Sequence, residues 1–189
     1  MAPRDARGAA GEAAAPYGRG GTVLLSDFVY VDCPYRQLGP VLLEPGAPWL
    51  SRLPSLAGKR PVWRTAKAGA WGEAAALVRL GRGPKGLRPL AVLTLGTARQ
   101  VSGSVIVPLR WDPVSFEFML PKLEGDMQAT QLEAAVSRLE LRATYRAPFH
   151  RIGEGLDRLA MHRAAEAGAR GFLQELAGVL ARPFEQASA

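Results

Sequence analysis

His162 is the residue of this chain best suited by type to acid–base chemistry, because an imidazole changes charge near neutral pH. It falls on the border of an apolar helical stripe, close in phase to Leu159, Ala165 and Phe172. A structural histidine fixed by one hydrogen bond would fit the same position, and that is the commoner use of such a residue. Tyr145 adds a phenol that can orient a carbonyl. Arg110 and Arg142 have the chemistry to pair with a carboxylate, but both alternate with apolar neighbours and so point away from the dry face of their strands. Asp157 with Arg158, and Glu154 one turn before Arg158, have the spacing of helix-surface ion pairs.

Several other chemistries are excluded. Cys33 is the single cysteine, which rules out an internal disulfide, and His150 is the one other histidine, so no thiolate–imidazole set for zinc exists. Neither a metal nor a cofactor is expected. Cys33 beside Pro34 at a strand end reads as a small buried apolar residue. There is no nucleophile elbow and no phosphate-cradling or dinucleotide fingerprint; the glycines of GRGPKG at 81–86 precede a strand, so they are turn residues.

The large apolar side chains are the remaining candidates. Trp111, Phe116, Phe118 and Met127, with Met119 nearby, fall on or beside strands whose inward face carries Tyr145. Leu156, Leu159 and Phe172 fall on the helix that follows. These residues, with Tyr145 and His162, are the candidate lining of a ligand pocket, since such pockets are mostly apolar with a few placed polar groups. They would serve equally as plain core.

The elements that must position them follow from periodicity. Residues 139–145 alternate strictly, with Leu139, Leu141, Ala143 and Tyr145 set against Arg138, Glu140, Arg142 and Thr144, so one sheet face is dry. An amphipathic helix of roughly thirty residues covers it, its stripe running from His162 through Ala165, Ala169 and Phe172 to Leu180, with Arg163, Glu166, Arg170 and Gln174 on the other side and Pro183 ending it. Upstream, residues 22–32 read as the first strand, with Asp32 as the cap of a short helix interrupted by Pro40 and a second helical turn carrying Trp49, Leu50 and Leu53 inward. Strands are predicted near 72–80, at 87–97, at 104–111 with a turn at Ser102-Gly103, and near 123–131. Pro108 breaks a ladder bond, which argues for an edge or a bulge. Sheet followed by helix is an α+β architecture: a curved antiparallel sheet of six to seven strands, two short helices after strand one and a long C-terminal helix.

At 189 residues the chain suits one domain, expected over 21–183, with residues 1–20 a disordered tail too poor in apolar side chains to offset the entropy of ordering, and 184–189 a second tail. No signal-like or membrane-length apolar run occurs, so a cytoplasmic protein without a transmembrane segment is expected. The net charge of +7 is uneven: residues 45–110 hold many Arg and Lys against Glu73, and residues 111–135 hold Asp112, Glu117, Glu124, Asp126 and Glu133 against Lys122. Such a field attracts anionic partners, yet no aromatic interleaving or reading motif points to specific nucleic-acid binding.

The order of elements and the runs VPLRW at 107–111 and LELRATYRAPFHRIGEGLDRLAMHRAAEAGARGFLQELA at 139–177 resemble the START-related, birch-pollen-allergen-like superfamily, also called SRPBCC or polyketide-cyclase-like. Trp111, Tyr145, Pro148, Gly155, Asp157, Arg158, His162 and Arg163 match its pattern, whereas Ala147 and His150 stand where proline and glycine are usual. The resemblance spans roughly residues 22–182. It implies a helix-grip fold with a hydrophobic cavity between sheet and helix. Three functions are then open: binding of a hydrophobic small molecule or lipid in that cavity, a cyclase or dehydrase working in it with His162 or Tyr145 as the acid–base group, or a basic module that contacts an acidic partner. The oligomeric state is not legible.

Overall fold

The computed structural model describes residues 22–56, 74–79, 90–114, 121–146 and 156–185, giving the backbone alone for residues 146, 156–161 and 182–185. Strands β1 (Thr22–Val31), β2 (Ala74–Arg79), β3 (Leu90–Leu95), β4 (Arg99–Val101), β5 (Ser104–Pro113), β6 (Leu123–Gln131) and β7 (Ser137–Arg146) form one antiparallel sheet. Their order is β1-β7-β6-β5-β3-β2, with β4 paired to β5 off that path. Helix α1 (Tyr35–Leu43) and a 3-10 helix (Pro48–Arg52) follow β1, and α2 (Leu156–Glu185) closes the chain. This is the expected α+β arrangement of seven strands. The proposed tail at 1–20 lies outside the described residues; of the one proposed at 184–189, residues 184 and 185 belong to α2 and the rest lie outside the described residues.

Alternation does what it predicts. In β5, Val105, Val107, Leu109 and Trp111 are all buried, and in β7 so are Leu139, Leu141, Ala143 and Tyr145. Because the registers match these positions across strands, the inner face is built of rows. One runs Ala76, Leu93, Trp111, Leu123, Tyr145, Val23, and the next Ala74, Leu95, Leu109, Gly125, Ala143, Leu25. On α2, Ala165, Ala169, Phe172, Leu173, Leu176, Val179 and Leu180 are buried against this face. Each fully buried leucine or phenylalanine there stabilises by about 1.5–3 kcal/mol.

Four sequence expectations need correction. Pro34, not Asp32, occupies the N-cap of α1 and makes no side-chain cap bond, and the helix runs through Pro40. The turn at Ser102-Gly103 joins β5 to the short β4, which the sequence reading missed, in place of β3; φ of 45° and 78° at the two turn residues matches the primed two-residue hairpin turn. Pro108 sits on a central strand, since β5 pairs on both sides, so the edge alternative is wrong and the bulge alternative holds. Leu95 pairs Leu109 and Arg99 pairs Ile106, leaving residues 96–98 opposite 107–108, one residue in excess. The Pro108 carbonyl accepts from Gly96 N at 2.8 Å, and the missing proline N–H faces the same bulged segment, where no ladder bond is lost. Finally, α2 continues past Pro183 to Glu185.

Polar side chains tie elements distant in the chain to one another. Ser137 Oγ donates to the Cys33 carbonyl at 2.6 Å, tying the start of β7 to the end of β1. Asp27 lies on the inner row with Leu141 and Met127, an acid on an otherwise dry face. Arg170 of α2 reaches it with Nε 3.0 Å from Oδ2 and Nη2 3.4 Å from Oδ1, satisfying both oxygens of a carboxylate that is only 13% exposed.

The outer face of β7 carries its own ion cluster. Glu140 accepts from Arg142 Nε at 2.6 Å and lies 3.2 Å from Arg138 Nη2, while Arg138 covers the ring of Phe28 at 4.5 Å. The hydrogen bond from Arg142 first, then the charges of Arg138 and Arg142, hold the Glu140 carboxyl below its ordinary value in spite of burial.

Gly125 packs so closely on β7 that a Cβ there would overlap the Arg142 carbonyl and the Ala143 backbone. Gly125→Ala is therefore expected to destabilise the fold by about 1–3 kcal/mol in urea unfolding, the range of an overpacked core site. For Glu140 the folded carboxyl titrates below the unfolded one, so its stabilisation is present above the ordinary carboxylate range and fades as pH falls through the folded value. Glu140→Gln is expected to unfold more easily than the parent at neutral pH and to converge with it in acid, as followed by circular dichroism.

Candidate functional site

Tyr145 leaves the inner face of β7 one residue before the strand ends, and the first turns of α2 pass over it. Its hydroxyl lies 2.9 Å from His162 Nδ1. The two rings lie nearly parallel, at 26° with centroids 6.2 Å apart. His162 Nε2 is in turn 3.3 Å from Glu166 Oε1, one helical turn further on. The i, i+4 spacing puts these two side chains on one face of α2, and Arg170 continues the same row.

The line is graded in exposure. Tyr145 is 2% exposed. The His162 and Glu166 side chains are 40% and 54% exposed, so the three groups lead from the interior to solvent. Burial, and then the negative charge of Glu166, push the Tyr145 phenol up from its ordinary value, keeping it a neutral hydrogen-bonding group.

Around it the wall is apolar. Trp111 sits two strands away in the same row, its indole Nε1 donating to the Pro121 carbonyl at 3.0 Å, which fixes the ring and joins the end of β5 to the approach to β6. Met127 and Phe172 are buried on the sheet and on α2. At the α1 corner, the Tyr35 hydroxyl and the Trp49 indole N–H are buried without a partner among the described residues.

Of the residues the sequence singled out, Trp111, Met127, Tyr145 and Phe172 belong to the inner layer, and His162 stands at its border beside Tyr145. Leu156 and Leu159 lie in the first turns of α2, their side chains outside the description; Phe116, Phe118 and Met119 lie outside the described residues. Arg142 is exposed on the outer face, as its alternation implied. Sequence reasoning missed Glu166 and Arg170, which it placed opposite the stripe. Both flank it, and the spacing of four from His162 through Glu166 to Arg170 was the available signal. It also missed Asp27, the lone acid in phase with Leu25, Val29 and Val31.

An open depression of about 540 Å³ lies on the opposite, outer face of the sheet, where Leu24, Arg99, Pro108, Glu124, Asp126 and Arg142 contribute to its lining. Its mixed charges do not reach Tyr145 or His162, and the chemistry sits on the other side. Beneath α1, a space of about 10 Å³ beside Leu42, Leu95 and Val107 is no larger than one water. Among the described residues no group of three metal-ligating side chains occurs, and no helix is long and apolar enough to cross a membrane.

No protein-family model matches the sequence, and no curated protein matches it. Solved structures do. The norcoclaurine synthase of Thalictrum flavum superposes with a TM-score of 0.60 at 10% identity, covering 92% of this chain and 100% of that one. The Zhui aromatase/cyclase of Streptomyces sp. R1128 gives 0.55 at 13% identity, over 85% of this chain and 94% of that one. The di-domain aromatase/cyclase StfQ of the steffimycin biosynthetic pathway gives 0.55 at 19% identity, over 89% of this chain and 52% of that one. The chain has the START-like helix-grip fold. At these identities the likeness is one of fold, and the helix-grip layers are what it shares.

The hydrogen-bonded line has an asymmetry that stability measurements can read. Removing the imidazole leaves a buried phenol hydroxyl without its partner, whereas removing the hydroxyl leaves a ring nitrogen that water can reach. His162→Ala is expected to cost about 1–3 kcal/mol and Tyr145→Phe about 0.5–1 kcal/mol in urea unfolding. Equal losses would mean that water already satisfies the phenol.

Proposed function

We propose that this protein binds an apolar small molecule between the inner face of the sheet and α2. The observation that carries this reading is the Tyr145–His162–Glu166 line, a hydrogen-bonded polar feature that leads from solvent to the inner layer that holds Trp111, Leu123, Met127 and Phe172. A mostly apolar wall with a few convergent polar groups is the usual make-up of a small-molecule site. The shared fold adds support: one Thalictrum flavum structure is a norcoclaurine synthase in complex with a transition state analogue, and the Zhui and StfQ structures are aromatase/cyclases.

Acid–base catalysis in the same space is the second reading. It is favoured by the presence of an imidazole held by a carboxylate on one nitrogen and a phenol on the other, an arrangement able to pass a proton between solvent and the interior. The two readings share a site and differ in whether the bound molecule leaves changed.

Anilinonaphthalenesulfonate, whose emission rises in apolar surroundings, is the first probe. Saturable binding of about one molecule per folded chain, at micromolar affinity and insensitive to added salt, is the expected result. Binding that weakens steeply with salt would assign the probe to the basic surface instead. An unchanged emission, together with native mass spectra showing the bare chain, would dispose of the proposal.

A further inference from the structure

A carboxylate accepts hydrogen bonds and donates none, so Glu166, 3.3 Å from Nε2, holds the proton of neutral His162 on that nitrogen. Nδ1 is then a bare lone pair. The Tyr145 hydroxyl, 2.9 Å away, must donate to it, and its single proton is spent on the imidazole. When His162 takes up a second proton, Nδ1 becomes a donor and points its N–H at the phenol oxygen. The phenol O–H is released and can turn to another acceptor. The same three side chains thus present a lone pair to the interior in one state and a hydrogen-bond donor in the other.

Resting on the small-molecule reading above, we infer that the Tyr145 hydroxyl is the contact for a neutral hydrogen-bond acceptor on the apolar ligand, a ketone or ester oxygen, and that this contact forms with uptake of one proton at His162.

The charges around the line favour a neutral acceptor. Among the described residues, the groups facing His162 are the phenol from β7 and the Glu166 carboxylate from its own helix. Arg170, the next member of the row, is engaged by Asp27 of β1. With Glu166 balancing the imidazolium the line carries no net charge, so a carboxylate ligand would bring an unbalanced anion into an apolar wall, at a desolvation cost that a carbonyl avoids. Burial and then the charge of Glu166 both keep the phenol protonated.

The sign of the linkage follows. A ligand that binds the imidazolium form draws a proton onto His162, and its affinity rises as pH falls. Naphthalene and 2-acetylnaphthalene are suitable probes: both are neutral at every pH used, and they differ in one carbonyl. The readouts are quenching of tryptophan fluorescence and titration calorimetry in two buffers of unlike ionisation heat. Acetylnaphthalene is expected to bind about tenfold tighter near pH 5.5 than near pH 8, about the worth of one hydrogen bond switched by an imidazole. Calorimetry should show net proton uptake on binding, and naphthalene the same affinity at both pH values. Tyr145→Phe and His162→Gln should each remove the pH dependence of the ketone; the wild-type profile and the proton count decide the matter without either variant. Ketone affinity that ignores pH while naphthalene binds would overturn the inference and leave the small-molecule reading standing. If neither probe binds, both fall.

Discussion

The single acid on the dry face of the sheet decides where the long helix lies. Asp27 shares a row with Leu141 and Met127, where an unpaired carboxylate would be costly to bury. The Phe28 backbone N–H donates to Oδ1 at 2.9 Å, and Arg170 of the covering layer supplies the balancing charge with two nitrogens. Apolar contact alone would let α2 slide along the sheet at small cost, because burial is not directional. The ion pair removes that freedom and gives the helix a register.

That register is what puts His162 over Tyr145. His162 and Arg170 are two turns apart on one helix face, a rise of about 12 Å at 1.5 Å per residue. On the sheet, the Asp27 row and the Tyr145 row are separated by four residues of strand, about 14 Å at 3.4 Å each. The two spacings agree, so one helix in one position makes both contacts. It also fixes direction: α2 runs from Tyr145 and its partner Val23 toward Asp27, along β1 and against β7. A slip of one turn would leave Asp27 without a cation and Tyr145 without the imidazole at once.

The sequence made the layers legible because period-two and helical patterns are local properties of a chain. Trp111, Met127, Tyr145 and Phe172 were placed inward by phase alone, and phase is what burial follows. What escaped depends on partners distant in the chain. Pro108 reads equally as an edge or a bulge residue until the excess residue in 96–98 decides for the bulge. Asp27 reads as a blemish in strand one until Arg170 arrives from 143 residues away. Glu166 and Arg170 looked like solvated residues because long side chains at the edge of a stripe can reach round it while most of their length stays in water. The polar half of the site was therefore hidden in positions that a helical wheel assigns to solvent.

The rows also say where the wall is lowest. Between the row of Trp111, Leu123 and Tyr145 and the row of Val107, Met127 and Leu141 lies one whose members on β6 and β7 are Gly125 and Ala143. Gly125 is compelled, since the Arg142 carbonyl occupies the place of a Cβ. Its partner Ala143 is likewise small, set between the large Leu141 and Tyr145 on the same face of β7. α2 repeats the choice, with Ala165 and Ala169 buried between His162 and Phe172. A core selected for packing alone would gain about 0.8 kcal/mol for every further buried methylene, provided there were room. Small residues on both layers, next to the Tyr145–His162–Glu166 line, are what a site for a guest molecule requires. They are also what stability by itself would tend to replace.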